Sequence, residues 1–233
     1  MTNVPLVNEK GIFIGESIDR DRLDYVFEKQ RRNGHSVQKK SGLEEMAEKY
    51  GRPHAHTVIY SKKGYILVQE RTEDRKYGAG AIFPFHGGHL DEQDLIKARE
   101  IGNEAAAYRI GAARELKEEI GIFVKPEELH FFGAKYLKIG EIENLGYNAF
   151  VKIFSLIYDR DRHGPKRFNQ KVIKDLDFLA IGDVIKDRLF EKSLGEKLGG
   201  ILLDRVDETS YKIKSLGYEH VLREMNRQTR IIH

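Results

Sequence analysis

Arg114-Glu115-Leu116-Lys117-Glu118-Glu119-Ile120-Gly121-Ile122 is the stretch from which the rest of the chain can be read. In a helix Glu115, Glu118 and Glu119 stand at i, i+3 and i+4 and share one face. Three anions within about 6 Å of one another repel unless a cation sits among them. A hard divalent ion such as Mg²⁺ (or Mn²⁺) fits, since it takes oxygen ligands and carries phosphate oxygens with it. Leu116 and Ile120 supply the apolar stripe that docks such a helix on a core. Gly121 ends it, because glycine tolerates the left-handed backbone of a C-terminal cap. The reading is a helix that binds a metal and a diphosphate.

Upstream, Gly87-Gly88-His89-Leu90-Asp91 forms a glycine turn. Paired glycines let backbone approach a ligand closely, and the carbonyl of Gly87 can itself bind a metal. Gly88 is expected beside the substrate. Arg71, Arg75 and Lys76 follow a β-rich run and are candidates for contacts with substrate phosphates, and Tyr147 and Phe150 for stacking on a base. His54 and His56 form an H-x-H whose side chains share one face of a strand.

Taken together, Arg114 through Ile122 and the Gly87-Gly88 turn resemble the Nudix box, G-x5-E-x7-R-E-U-x-E-E-x-G-U with U aliphatic. The resemblance implies an α/β (α+β) fold, an α/β/α sandwich whose glutamate-rich helix packs on a mixed sheet. It implies a metal site at Glu115, Glu118, Glu119 and Gly87. Catalysis would rest on Glu118 and Glu119, with Arg114 orienting the carboxylates. Glu141 and Glu143 are candidates for a further acid from a later loop. The expected activity is metal-dependent pyrophosphohydrolysis of a nucleoside-diphosphate-linked or related small molecule. The alternative is a module that senses such a ligand without cleaving it, although a pure sensor has no need of three anions on one face.

The spacing departs from the pattern. Gly88 and Arg114 are 26 apart, an excess of 12 over the standard box, and the position eight before the arginine is Ala106. Glu104 and Glu100 are the nearest substitutes for the internal glutamate, with residues 92–103 as an insertion expected to wall the substrate cleft. The order Leu6 to Gly11, Ile66 to Arg71 and Gly88-His89 also resembles the isopentenyl-diphosphate isomerase branch, which would make His89 a metal ligand. Those isomerases place a cysteine before the Gly-His pair. Here that position is Gly87 and the chain has no cysteine, so allylic isomerisation is not expected.

Composition bounds the rest. The 233 residues carry 40 basic and 37 acidic side chains, for a net charge of +3, which implies no strong polyanion partner and no specific nucleic acid. A hydrophobic fraction of 40% supports a core. No apolar run approaches the ~18 residues of a membrane span, and a cytoplasmic location fits. The expected division is an N-terminal extension over 1–53, a Nudix domain over 54–190 and a helical C-terminal extension over 191–233, the extensions packing on the core or forming a homodimer interface. Strands are expected over 12–15, 56–60, 65–70, 129–138 and 148–158. Helices are expected over 20–29, 43–50, 95–119 (broken near Gly102 or Gly111), 183–190 and 218–228.

Overall fold

The elements follow in the order β1 (Asn3–Val7), β2 (Phe13–Asp19), α1 (Gly42–Lys49), β3 (Gly51–Ser61), β4 (Tyr65–Arg71), β5 (Ile82–Phe83), β6 (Phe85–His89), α2 (Glu92–Glu100), α3 (Ala107–Ile120), β7 (His130–Leu137), β8 (Asn148–Tyr158), α4 (Arg160–His163) and β9 (Ile173–Ala180). The computed structural model describes residues 3–22, 25, 42–61, 65–73, 82–138, 148–168, 170–171 and 173–180. Of the helix expected over 20–29, residues 20–22 and 25 are described and helical. The helices expected over 183–190 and 218–228 lie outside the described residues.

All nine strands join one mixed sheet, and β3 is its hub. Along one edge β3 runs parallel to β8 from Gly51↔Asn148 to Ser61↔Tyr158. Along the other it meets β1 at Gly51, β6 from His54 to Val58, and β4 at Tyr60, all antiparallel. β3 is central to the sheet, and every residue of it but Ser61 is buried. The expected strand over 56–60 extends back through the polar and proline-containing Gly51-Arg52-Pro53-His54. Four of the described strands escape sequence reading: β1, which is short and contains Pro5, β5, β6, whose Gly87-Gly88-His89 reads as a turn, and β9, which pairs with β4.

Side-chain alternation divides β3 between two faces. Ala55 and Ile59 join Phe150, Phe154 and Leu156 of β8 in the main core, together with Tyr108, Ala112, Leu116 and Ile120 of α3. Leu116 and Ile120 are fully buried, and burial of such side chains contributes about 1.5–3 kcal/mol each. The opposite face carries Arg52, His54 and His56, all buried.

The helical stretch expected over 95–119 is two helices. α2 ends at Glu100, Gly102 turns the chain with φ 70°, and a short 3-10 turn at Glu104–Ala106 leads into α3. α3 passes through Gly111 unbroken, where a Cβ would lie 3.0 Å from both Asp94 Oδ2 and Leu90 Cγ, so the absence of a side chain lets α2 and α3 meet. Glu92 ties α2 to the first hairpin, accepting from Asn3 Nδ2 at 3.1 Å and Ser17 Oγ at 3.2 Å. No described helix is long and apolar enough to cross a membrane.

Candidate functional site

α3 presents Glu115 and Glu119 to Gly87 and Gly88, which lie not in the expected turn but within strand β6, opposite His56 and Ala55 of β3. A Cβ at Gly88 would lie 3.0 Å from each Glu115 carboxylate oxygen, so the absence of a side chain lets the carboxylate sit this close. Gly87 adopts φ 139°, and a Cβ there would strike the Ala55 carbonyl. Its amide instead donates to Glu119 Oε2 at 3.1 Å.

Arg114 holds the carboxylates in place. Its Nη1 donates to Glu115 Oε1 at 2.9 Å and Glu118 Oε2 at 3.0 Å, and its Nη2 to the His89 carbonyl at 2.8 Å. Nε and Nη2 both reach Asp94, the latter at 3.0 Å. Asp94 also closes a capping box with Asp91 at the start of α2. Burial opposes the charge on Arg114, but its hydrogen bonds to Asp94 and the charges of Glu115, Asp94 and Asp91 outweigh that and raise its pKa. Burial raises the Asp94 pKa, and Arg114 works against the rise.

Neither Glu100 nor Glu104 fills the place of the internal glutamate: Glu104 is exposed and accepts from Arg99. Asp94 fills it. Counted from the glycine end of the pattern, Asp94 is six after Gly88, the position the box gives to that residue. The excess of 12 therefore lies between Asp94 and Arg114, which overlaps the expected 92–103 in the tail of α2 and the turn after it but begins after Asp94. Counting from the arginine alone hid this.

Burial, followed by the charge on Glu119, pushes Glu115 up to about 7, against the pull of Arg114. Glu118 is 57% exposed at its side chain and touches only the outer edge of the guanidinium. The three glutamates therefore do not converge. Among the described residues no three His, Cys, Asp or Glu side chains are placed to hold a metal together. What meets at the glycines of β6 is the pair Glu115 and Glu119, with the backbone of Gly87 and Gly88.

The histidines do assemble, on the other face of β3. The His54 ring lies 4.1 Å from that of His89, its cross-strand partner, and 5.9 Å from that of His56. Arg52 Nη1 is 3.4 Å from His89 Nε2. Burial and neighbouring positive charge hold His54 and His89 well below the usual imidazole range. The cluster sits directly behind the residue whose carbonyl receives Arg114. The H-x-H predicted a shared face; its partner His89 is set by strand pairing, which the sequence does not display.

Of the remaining candidates, Phe150 is in the core, its ring 6.0 Å from that of Tyr108, and so does not face a ligand. Arg71 ends β4, and Arg75, Lys76, Glu141, Glu143 and Tyr147 lie outside the described residues.

Comparison with known proteins gives a family and a set of similar structures. Residues 51–193 match the model of the NUDIX domain. No curated protein matches. Among solved structures, the chain is similar to DR0079 from Deinococcus radiodurans, with 15% identity over 82% of this chain and 91% of that one and a TM-score of 0.49. It is similar to a bifunctional NMN adenylyltransferase/ADP ribose pyrophosphatase from Francisella tularensis, solved with AMP and a Mn ion, at 16% identity over 78% and 46% and a TM-score of 0.49. It is also similar to a NUDIX hydrolase from Alicyclobacillus acidocaldarius, at 15% identity over 58% and 82% and a TM-score of 0.47. With more than half of its length matched by the domain model, the mixed sheet packed on helix α3 and the paired glycines of β6 set against the glutamates of that helix, the chain belongs to the Nudix family.

Proposed function

We propose that the protein is a metal-dependent hydrolase that cleaves the diphosphate linkage of a nucleoside-diphosphate-linked or related small molecule. The observation that carries this reading is the Glu115–Glu119 pair set against the side-chain-free Gly87–Gly88 segment of β6. Two mutually repelling carboxylates, one of them buried enough to be pushed up to about 7, form a donor set suited to a hard cation. Glu115, Glu119 and the Gly87 carbonyl are the groups that would hold Mg²⁺ or Mn²⁺. When bound, the ion supplies neutralisation of charge on the diphosphate oxygens.

The protein's own residues do the rest. Arg114 keeps Glu115 and Glu118 at fixed positions through a fork that Asp94 anchors from behind. Glu118, half exposed and held through Arg114 Nη1 alone, would accept the proton of an attacking water. Family membership favours a nucleotide-linked or related diphosphate substrate. The test is to incubate purified protein with Mg²⁺ or Mn²⁺ and a panel of sugar nucleotides, dinucleotides, coenzyme A and prenyl diphosphates in ¹⁸O-water. Metal-dependent cleavage with ¹⁸O in a phosphate product is the expected result. Absence of cleavage across the panel, with tight binding of one member, would favour a sensing role.

A further inference from the structure

The side of α3 turned away from Glu115 and Glu119 faces a second cleft. Lys117 lies two residues from each glutamate, about 200° around the helix, and so projects from the opposite side. With Ala113, Phe123, Lys125, Glu128 and Arg162 it lines a cleft of about 400 Å³, within the size range of small-molecule sites.

The lining has a defined chemistry. The ammonium groups of Lys117 and Lys125 have no carboxylate partner among the described residues. Glu128, the one acid present, is engaged at the floor. It accepts from the Lys125 amide at 2.7 Å and pairs with Arg162, which fixes that guanidinium at the cleft. Phe123 is 61% exposed, and Lys117 Nζ sits 5.3 Å from its ring centroid. Three cations around one exposed aromatic ring match a ligand that has both a flat ring and phosphates. An acidic peptide would satisfy the cations but has no use for the ring.

We propose that this cleft is a second nucleoside-phosphate site, separate from the glutamate face, with the base against Phe123 and the phosphates held by Lys117, Lys125 and Arg162. The proposal does not depend on the hydrolase reading. It predicts binding without divalent metal, which the glutamate face requires to accept phosphate.

The experiment titrates the full chain in EDTA with a fluorescent ADP analogue. One saturable equivalent is expected. Phe123→Ala and the double variant Lys117→Ala/Lys125→Ala should each weaken it by about tenfold, the scale of a lost stacking contact. Glu119→Gln should leave it unchanged. Circular dichroism confirms folding, which these exposed substitutions should not disturb. The proposal is overturned by lack of saturable binding, or by binding that Glu119→Gln removes and Phe123→Ala does not. Equal competition by inorganic triphosphate or a polyglutamate peptide, with Phe123→Ala silent, overturns it as well, since the cleft would then be a basic patch only.

Discussion

A guanidinium offers five N–H donors in one plane, and at Arg114 all of them are engaged: Asp94 behind, the His89 carbonyl to one side, Glu115 and Glu118 in front. Asp94 is the fixed end of this chain of contacts, with no exposed side-chain area. Removing one partner of a buried ion pair leaves the other uncompensated. Asp94→Ala should therefore cost about 3 kcal/mol in urea denaturation, at the low end for such pairs because three other carboxylates remain near Arg114. Asp94→Asn should cost less, since it keeps one acceptor. If Asp94→Ala were as stable as the native chain, Asp94 would not be the anchor. The residues of the site differ in how far the sequence displays them. Arg114 and the three glutamates are visible because helical spacing is local. Asp94 was missed because the count ran from the arginine across a lengthened connection. The contact between His54 and His89 requires the register of β3 on β6, a long-range fact that no local pattern encodes.

At the scale of elements, the two helices around the site end on left-handed glycines that answer to different surroundings. Gly102, after α2, has φ 70° and nothing within 4 Å of a Cβ. Gly121, capping α3, has the same φ, but a Cβ would lie 2.8 Å from the Arg167 carbonyl. Arg167 is held there by its own amide, which donates to the Ile120 carbonyl at 2.8 Å. Gly102→Ala should cost only the left-handed strain, about 1–2 kcal/mol. Gly121→Ala should cost more, because it adds a backbone collision that loosens the end of the glutamate helix. Denaturation midpoints of the two variants check this, and an equal or reversed order would contradict it. The sequence offered Gly102 and Gly111 equally as breaks in the long helical stretch. The structure chose Gly102, since Gly111 is needed inside α3 where Asp94 and Leu90 press against it. The mixed sheet was legible as a class, but the strand order was not, since β3 draws partners from four separate parts of the chain.

For the molecule as a whole, buried ionisable groups set the response to acid. His86 is fully buried, bonded through Nε2 to the Leu67 carbonyl, and burial lowers its pKa to about 4. An unfolded histidine takes its proton near 6.5, so between these values the unfolded chain binds more protons. The contribution of His86 is whole above pH about 6.5 and is lost as pH falls toward about 4, by up to about 3 kcal/mol. His54 and His89, also held low, act with the same sign. Glu115, raised to about 7, acts in the opposite sense, since its folded form keeps a proton that the unfolded chain releases. The difference in stability between the native chain and His86→Gln isolates the imidazole. It should shift by about 3 kcal/mol against the native chain as pH falls from about 7 to about 4. A difference that does not change with pH would mean that His86 is not buried neutral.

The central claim is that Glu115 and Glu119, set against Gly87 and Gly88 of β6, hold the divalent ion on which diphosphate cleavage depends. Mn²⁺ binding followed by electron paramagnetic resonance, with turnover measured on the same samples, tests it most directly. The substitution is Glu119→Gln, which keeps shape and the hydrogen bond from the Gly87 amide but removes a charge. The expected result is a Mn²⁺ affinity at least about tenfold weaker and a turnover lower by about 100-fold or more, with unchanged folding. A folded Glu119→Gln protein with native Mn²⁺ affinity and native turnover would contradict the assignment of this helix as the metal site.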